Sequence, residues 1–342
     1  MEPDACFVAP IQHLMHIPDP TKELVVQVET FLRTLPMPPF NPKSNKGCWI
    51  KMSARISVQS GLMLVISLNT QSLQPMALKR MKHDLVGWLT EDPINSRLRI
   101  ASIYLIGFRN QWESEEPELL FGDKTIVKSV INGTYLVSPQ SFFSSNIGAL
   151  EEMLRLIRDM ANLTSQTTLL DVCCGSGVLG ISLSRFCGQV IGLDVLPGAI
   201  DEARVNTVKN DAGNCEYHVG SAEEFLPSLW SRIVFTENVV CILDLPPSGL
   251  TPKAVQHIRK QSVIKRVFVI LSEPRNCLQT CMALAKMPSN QIKGDPFIPV
   301  RAIPIDTQPH THNFTLLILF LRFKPLDLLN PCLLYTSPSP RD

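Results

Sequence analysis

One glycine-rich segment constrains the fold more than any other part of this sequence. Residues 167–184 read TTLLDVCCGSGVLGISLS, an apolar run followed by a turn with glycines at 175, 177 and 180 and then by a second apolar run. Glycine permits a tight turn after a strand and lets the backbone come close to a ligand. The segment therefore predicts a strand–turn–helix unit that cradles a nucleotide-like ligand.

The rest of the chain predicts two folded regions. From about residue 145 onward, strand-like and helical segments alternate, which is typical of a mostly parallel sheet with helices on both faces. Residues 1–135 instead mix helical spacing with a pair of strands joined at QSG. We therefore expect a Rossmann-like α/β domain with a seven-stranded sheet over 136–325, preceded by a smaller α+β domain over 1–135. The seven strands are predicted at 168–172, 189–194, 214–218, 239–244, 266–271, 298–306 and 314–322.

Composition limits the partners and sites that the chain can have. With 32 basic and 31 acidic residues the net charge is +1, so RNA binding would need a local basic patch. The ten cysteines include no C-x-x-C pair, so we expect no metal site and a reducing intracellular compartment. The longest apolar run, 314–321, is shorter than the roughly 20 residues that span a bilayer, so no membrane segment is predicted. Residues 326–342 lack periodicity and are expected to be a non-native or disordered tail.

Two aspartates distinguish among the ligands that such a turn can hold. The glycine spacing suits a nicotinamide dinucleotide as well as S-adenosylmethionine, and a purely structural turn is a third alternative. Asp171 precedes the first glycine by four residues, where a carboxylate can meet the ammonium of a methionine group but would repel a pyrophosphate. Asp194 ends the next predicted strand and is placed to accept hydrogen bonds from ribose hydroxyls. The sequence thus favours S-adenosylmethionine, with GSAEEF at 220–225 bordering its adenine.

Several segments resemble the tRNA (uracil-5-)-methyltransferase family. The segment DVCCGSG is similar to the family's cofactor loop, and the similarity extends to VSPQSFFSSN, GLDVLPGAIDEARVN, DLPPSGL and PIDTQPHTHNFTLLILFLR. The resemblance covers residues 7–323 and implies an S-adenosylmethionine-dependent methyltransferase acting on a T-loop uridine of tRNA. It also implies that the family's N-terminal RNA-binding portion is missing. ELLFG and PHTH lean towards homolog B, the mitochondrial paralogue, rather than homolog A, which implies a mitochondrial location.

The resemblance also implies that the catalytic groups of this chain are altered. In the family a cysteine thiolate adds to carbon 6 of uracil, carbon 5 takes the methyl group, and a carboxylate then removes the carbon 5 proton. Here Ser272 stands at the nucleophile position and Thr315 at the base position, while Asp244 is kept and Pro247 replaces an arginine. A serine hydroxyl needs an adjacent base, and a threonine cannot act as a carboxylate base. We therefore expect impaired catalysis.

The remaining assignments concern cofactor contacts and RNA binding. A basic patch at Lys79, Arg80, Lys82 and His83 is the candidate RNA contact, with a solvated helix face as the alternative. Cys277 and Cys281 are interpreted as packing residues rather than relocated nucleophiles. Two other functions stay open: a catalytically silent homologue that binds tRNA or a protein partner, and a small-molecule methyltransferase. The residues expected to contact the cofactor are Ser144, Asp171, Cys173, Gly175, Gly177, Asp194 and Asp244.

Overall fold

The computed structural model describes residues 11–71, 73–108, 114–232, 238–272, 274–289 and 292–323. The chain divides into two compact units. The first contains the residues up to Lys128 together with Leu136–Ser141, and the second contains Ser129–Tyr135 and the chain from Phe142 onward. Among the described residues, no helix has both the length and the apolar character that crossing a bilayer requires. The predicted tail at 326–342 lies outside the described residues.

In the first unit, helices pack against one face of a four-stranded sheet with the order β1-β2-β3-β4. Strand β2 pairs antiparallel with β1 and parallel with β3, and β4 pairs antiparallel with β3. Alternate residues of β2, such as Leu64 and Leu68, pack with Leu24 and Leu85 of the helices. The strands are β1 (Trp49–Ser57), β2 (Gly61–Asn69), β3 (Ile100–Phe108) and β4 (Glu118–Gly122), and the helices are α1 (Asp19–Arg33), α2 (Pro75–Thr90) and α3 (Ile94–Leu98).

A short two-stranded sheet, β5 (Ile126–Val130) with β6 (Gly133–Val137), precedes the large sheet of the second unit. The large sheet has the order β12-β13-β11-β10-β7-β8-β9. Strands β7 to β11 are parallel, and β13 runs antiparallel to both of its neighbours. The strands are β7 (Thr167–Val172), β8 (Gln189–Asp194), β9 (Cys215–Val219), β10 (Asn238–Leu245), β11 (Ile264–Leu271), β12 (Phe297–Ile305) and β13 (Thr315–Arg322). All seven predicted strands are confirmed.

Helices cover both faces of this sheet. One face packs with α4, α5 and α6 through residues such as Ile157, Leu179 and Ile200. The other packs with α7, α8 and α9 through residues such as Leu226 and Ile258. The helices are α4 (Ile147–Ala161), α5 (Val178–Leu183), α6 (Pro197–Lys209), α7 (Ala222–Arg232), α8 (Pro252–Lys260) and α9 (Pro274–Ala285), and a short 3₁₀ helix spans Ser184–Phe186.

The strand order fixes where a ligand can bind in the second unit. From β7 the chain proceeds to β8 and β9 on one side, and then returns to β10 and β11 on the other side. Such a switch point leaves a crevice beyond the carboxyl ends of the parallel strands. Because β13 is antiparallel, its first residue, Thr315, lies at the same edge as the last residues of β10 and β11. The expected cofactor and catalytic residues are thus brought to one edge of the sheet.

Candidate active site

A pocket opens at this carboxyl edge, entirely within the second unit. Its walls come from the glycine turn after β7, the segment before α4, the ends of β10 and β11, and the start of β13. Much of the remaining wall is apolar and includes Phe143, Met153 and Ile270. The predicted site residues that line it are Ser144, Cys173, Gly175, Asp244, Ser272 and Thr315. The structure therefore gathers these six candidates around one cavity, whereas Asp171, Gly177 and Asp194 are not among the described residues that line it.

The glycine turn has the open shape that a ligand cradle needs. Gly175 has a φ of +54°, and a Cβ atom added there would meet no heavy atom within 4 Å, so the space above it is free. Gly177 has a φ of +80°, and a Cβ atom there would lie 2.9 Å from the ring of Tyr217. The backbone at both positions is left-handed, which side chains rarely tolerate. The first glycine leaves room for a ligand, whereas the second permits close packing.

Asp194 fastens the glycine turn to the end of β8. Its Oδ2 accepts a hydrogen bond of 2.9 Å from the backbone N–H of Gly175, and its Oδ1 accepts one of 3.0 Å from Leu196. Each carboxylate oxygen can accept more than one hydrogen bond. The predicted bond to ribose hydroxyls would therefore use the remaining lone pairs, and that role stays a prediction.

Asp171 carries an unsatisfied carboxylate oxygen inside the protein. The side chain is completely buried, and its Oδ2 accepts a 3.0 Å hydrogen bond from the backbone N–H of Gly180. Its Oδ1 has no hydrogen-bond partner in the part of the chain that the structure describes. Burial is the main cause that raises the pKa of Asp171 to about 7, and the charge of Asp244 is the second. The hydrogen bond from Gly180 lowers this pKa, but by less. A buried carboxylate without a partner is costly, so this site favours a cationic ligand group such as an ammonium.

Two ionisable groups that line the pocket also have raised pKa values. Burial, followed by the charge of Asp194, raises the pKa of Asp244 to about 7. The same two causes raise the pKa of Cys173 to about 12, with smaller effects of Asp244 and Asp171. Cys173 is therefore a protonated thiol at neutral pH and is poorly suited to act as a nucleophile.

Ser272 and Thr315 lie side by side at the edge of the sheet. Leu271 pairs with Leu316 in the antiparallel ladder, so the next position along places Ser272 beside Thr315. Ser272 is exposed, and its hydroxyl has no hydrogen-bond partner within the described part of the chain. Thr315 is 5% exposed, and its Oγ1 lies 2.9 Å from the Oγ1 of Thr307. The pocket presents neutral hydroxyls at both positions.

The neighbours of Ser272 and the entrance to α4 complete this region. Glu273 and the side chain of Cys277 lie outside the described residues, whereas Cys281 is buried in the core, which confirms its interpretation as a packing residue. Ser144 donates a 3.1 Å hydrogen bond to the backbone carbonyl of Asn146, and the side chain of Asn146 caps α4 by accepting from the N–H of Ala149. The cap fixes the position of Ser144 in the wall.

Sequence reasoning missed Tyr217, which supports the glycine turn. Its hydroxyl donates a 3.3 Å hydrogen bond to the carbonyl of Gly177, and the side chain is buried. A Cβ atom at Gly192 would lie 2.3 Å from the Tyr217 ring. A glycine inside a strand is a signal of such close approach, so Gly192 was the available clue.

The segment GSAEEF uses its polar side chains within the fold. Ser221 and Glu224 form a reciprocal cap at the start of α7. Glu223 pairs with Lys253 at 2.9 Å and accepts a hydrogen bond from Thr251. Of the described residues that line the pocket, none comes from 220–225. A contact of this segment with adenine stays a prediction.

The basic patch predicted on α2 is largely paired with carboxylates. Lys82 forms an ion pair with Glu118, and Arg80 and His83 lie 3.6 and 3.5 Å from Asp84. This arrangement favours the alternative of a solvated, ion-paired helix face. Within the described ranges no cluster of His, Cys, Asp or Glu is arranged to hold a metal ion.

Comparisons with known proteins agree with this geometry. Residues 163–297 match the family described as "Methyltransferase domain". Human tRNA (uracil-5-)-methyltransferase homolog A is 33% identical over 324 residues, which cover 93% of this chain and 51% of the relative. This chain is similar to the tRNA (uracil-5-)-methyltransferases over nearly its whole length. It spans about half the length of the homolog A proteins that it matches.

Two further comparisons concern homolog B and the fold. Human homolog B is 29% identical over 318 residues, covering 91% of this chain and 62% of the relative. The lower identity to homolog B does not support our preference for that paralogue. The crystal structure of the Pyrococcus abyssi tRNA (uracil-54, C5)-methyltransferase with S-adenosyl-L-homocysteine gives a TM-score of 0.62 at 20% identity, covering 88% of this chain and 67% of that one. The predicted Rossmann-like methyltransferase fold is confirmed.

Proposed function

We propose that the pocket binds S-adenosylmethionine and that the chain acts on a uridine of tRNA, with methyl transfer to carbon 5 slowed by its altered catalytic groups. One observation carries the cofactor assignment: in the strand that precedes the open glycine turn, the buried carboxylate of Asp171 has one oxygen with no hydrogen-bond partner among the described residues. An ammonium group would satisfy that oxygen, whereas a pyrophosphate would be repelled. Similarity to the tRNA (uracil-5-)-methyltransferases supports tRNA as the substrate.

The residues of the pocket divide the work of holding the cofactor. Asp171 would pair with the ammonium, the free space above Gly175 would admit the ligand to the backbone, and Asp194 would hold the turn in place. The apolar wall that includes Phe143 and Met153 would exclude water from the reacting atoms. When bound, S-adenosylmethionine supplies an electrophilic methyl group.

The pocket is poorly equipped for the covalent part of the reaction. Addition to carbon 6 of uracil needs an activated nucleophile, and among the described residues no base is hydrogen-bonded to the hydroxyl of Ser272. Removal of the carbon 5 proton needs a base, and the hydroxyl of Thr315 is instead hydrogen-bonded to Thr307. These two observations also favour a second function, a homologue that binds tRNA without methylating it. The T-loop uridine and a mitochondrial location stay predictions.

A paired binding and activity assay tests the proposal. S-adenosylhomocysteine should raise the melting temperature and NADH should not, and Asp194→Ala should weaken the ligand affinity about tenfold by loosening the turn. Stabilisation by NADH alone would refute the cofactor assignment.

Transfer of label from S-adenosylmethionine to unmodified tRNA should be slow with the natural chain and faster with Ser272→Cys/Thr315→Glu. The matched control is Ser165→Cys/Thr30→Glu, which makes the same replacements at exposed positions outside the pocket. Labelling by the natural chain at the rate of the double variant would contradict the assigned roles. Labelling by neither, with tRNA still bound, would favour the silent homologue.

A further inference from the structure

Three carboxylates of the second unit lie on the same face of the sheet, on three adjacent strands. Asp171 of β7 pairs in register with Gly192 of β8 and Ile242 of β10. Asp194 lies two residues after Gly192, and Asp244 lies two residues after Ile242. Since side chains alternate between the two faces of a strand, all three carboxylates are on one face. From the strand spacing and the rise per residue, the Cα atom of Asp171 is about 8 Å from each of the other two.

No basic side chain compensates this group within the described residues. The ion pairs found in that part of the chain include none to Asp171, Asp194 or Asp244. The other ionisable groups that interact with the three carboxylates are thiols and a phenol with raised pKa values, which are neutral at pH 7: Cys173 and Cys174 of the turn, Cys215 and Tyr217 of β9, and Cys241 of β10. Within the described ranges, this edge of the sheet therefore lacks a positive charge.

We propose that this carboxylate group distinguishes the charged methyl donor from its uncharged thioether product, because only the donor's sulfonium draws an additional proton from Asp244. In this step the O–H bond of Asp244 would break and the proton would pass to the solvent, which would leave a carboxylate in the pocket wall to offset the charge of the sulfonium. The ammonium is common to donor and product, so any proton lost from Asp171 is lost with both ligands. The inference rests on the proposed binding of S-adenosylmethionine.

The pKa of Asp244 sets how strongly the relative affinity for donor and product depends on pH. With a pKa of about 7, Asp244 is mostly protonated at pH 5.5 and mostly ionised at pH 7.5. When binding releases one proton, the affinity rises up to tenfold per pH unit below that pKa. The affinity for the donor relative to the product should therefore rise about twentyfold between pH 5.5 and 7.5.

Isothermal titration calorimetry tests this directly. S-adenosylmethionine and S-adenosylhomocysteine are titrated at pH 5.5, 6.5 and 7.5, each in two buffers with different heats of ionisation, which counts the protons released. Near pH 6.5 the donor should release close to one proton more than the product. Sinefungin, which carries an amine in place of the sulfonium, should behave like the donor.

Two variants separate the inference from a general pH effect. Asp244→Asn should abolish both the extra proton and the rise in relative affinity, whereas Asp201→Asn, the same change at a residue on the exposed surface of α6, should keep both. Equal proton release by donor and product would overturn the inference, as would a rise that persists in Asp244→Asn. Binding of neither ligand at any pH would instead refute the proposed function and the inference with it. The buffer comparison on the natural chain needs no variant to fold.

Discussion

Replacing Asp171 by asparagine should stabilise the unliganded protein at pH 8 while removing its response to S-adenosylhomocysteine. The carboxyl is completely buried, one of its oxygens has no partner among the described residues, and its pKa rises from 3.8 to about 7 on folding. At 1.36 kcal/mol per pKa unit, the charged form costs about 4 kcal/mol of stability. Because part of this pKa shift comes from the charge of Asp244, we expect the variant to gain about 2–4 kcal/mol of stability. Its amide oxygen can still accept the hydrogen bond from Gly180.

The pH dependence gives the sign of this effect. Since the carboxyl pKa is raised on folding, the native state keeps its proton where the unfolded chain has lost it. The penalty is absent below pH 3.8, grows as the pH rises towards about 7, and is complete above that value. At pH 4.5 the variant should thus gain no more than about 1 kcal/mol.

Thermal denaturation at pH 8 and pH 4.5 measures the difference. A gain of this size should raise the melting temperature by roughly 5–10 °C at pH 8 and by much less at pH 4.5. Asp201→Asn is the control, because its carboxylate is 72% exposed and should change stability little at either pH. A change in stability at pH 8 equal to the change at pH 4.5 would refute this prediction, since burying the charge of Asp171 would then cost no stability.

Three other perturbations test separate parts of the structure. Gly177→Ala should lower the free energy of unfolding by about 2–4 kcal/mol, because of its left-handed backbone and the Tyr217 ring 2.9 Å away; urea denaturation measures it, and an unchanged midpoint would contradict the packing. Arg322→Ala should cost about 3 kcal/mol in the same assay, because the buried guanidinium donates to carbonyls at the end of α8 and at the start of β11; a loss below 1 kcal/mol would show that water replaces it. With a net charge of +1 and an ion-paired α2 face, binding to tRNA should be weak and fall about tenfold or more between 50 and 200 mM salt, as filter binding can show; salt-insensitive binding would contradict this.

The sequence was sufficient to predict the strands of the large sheet and the aspartates that gather at its carboxyl edge. Buried parallel strands are continuous apolar runs, so segments such as Val239–Leu243 stand out without any tertiary information. Residues that follow such runs, including Asp171, Asp194 and Asp244, then collect at one edge by topology alone. Strand β4 was missed because it is short and half-exposed, and its sequence ELLFG lacks an alternating pattern.

What the sequence could not predict depends on contacts between distant segments. The hydroxyls of Thr307 and Thr315 meet because the chain turns between the antiparallel strands β12 and β13. No periodic pattern in the sequence links these two residues. Likewise, Tyr217 supports Gly177 from a strand two positions away in the sheet. The ion pairs on α2 also required the structure, since Glu118 reaches Lys82 from another element. Burial, which shifts the pKa values of Asp171 and Asp244, follows from the same packing.

We propose that this chain binds the cofactor in its pocket but has Ser272 and Thr315 where the tRNA (uracil-5-)-methyltransferases have their nucleophile and their base. Covalent trapping on tRNA that carries 5-fluorouridine tests it most directly, because fluorine at carbon 5 cannot leave as a proton does and the bond from the protein to carbon 6 persists. With S-adenosylmethionine present, the natural chain should give no cross-linked band, and Ser272→Cys alone should give one, since addition needs the thiolate but not the later base. A trapped band with the natural chain would contradict the account, because a nucleophile would then already be at work in the pocket.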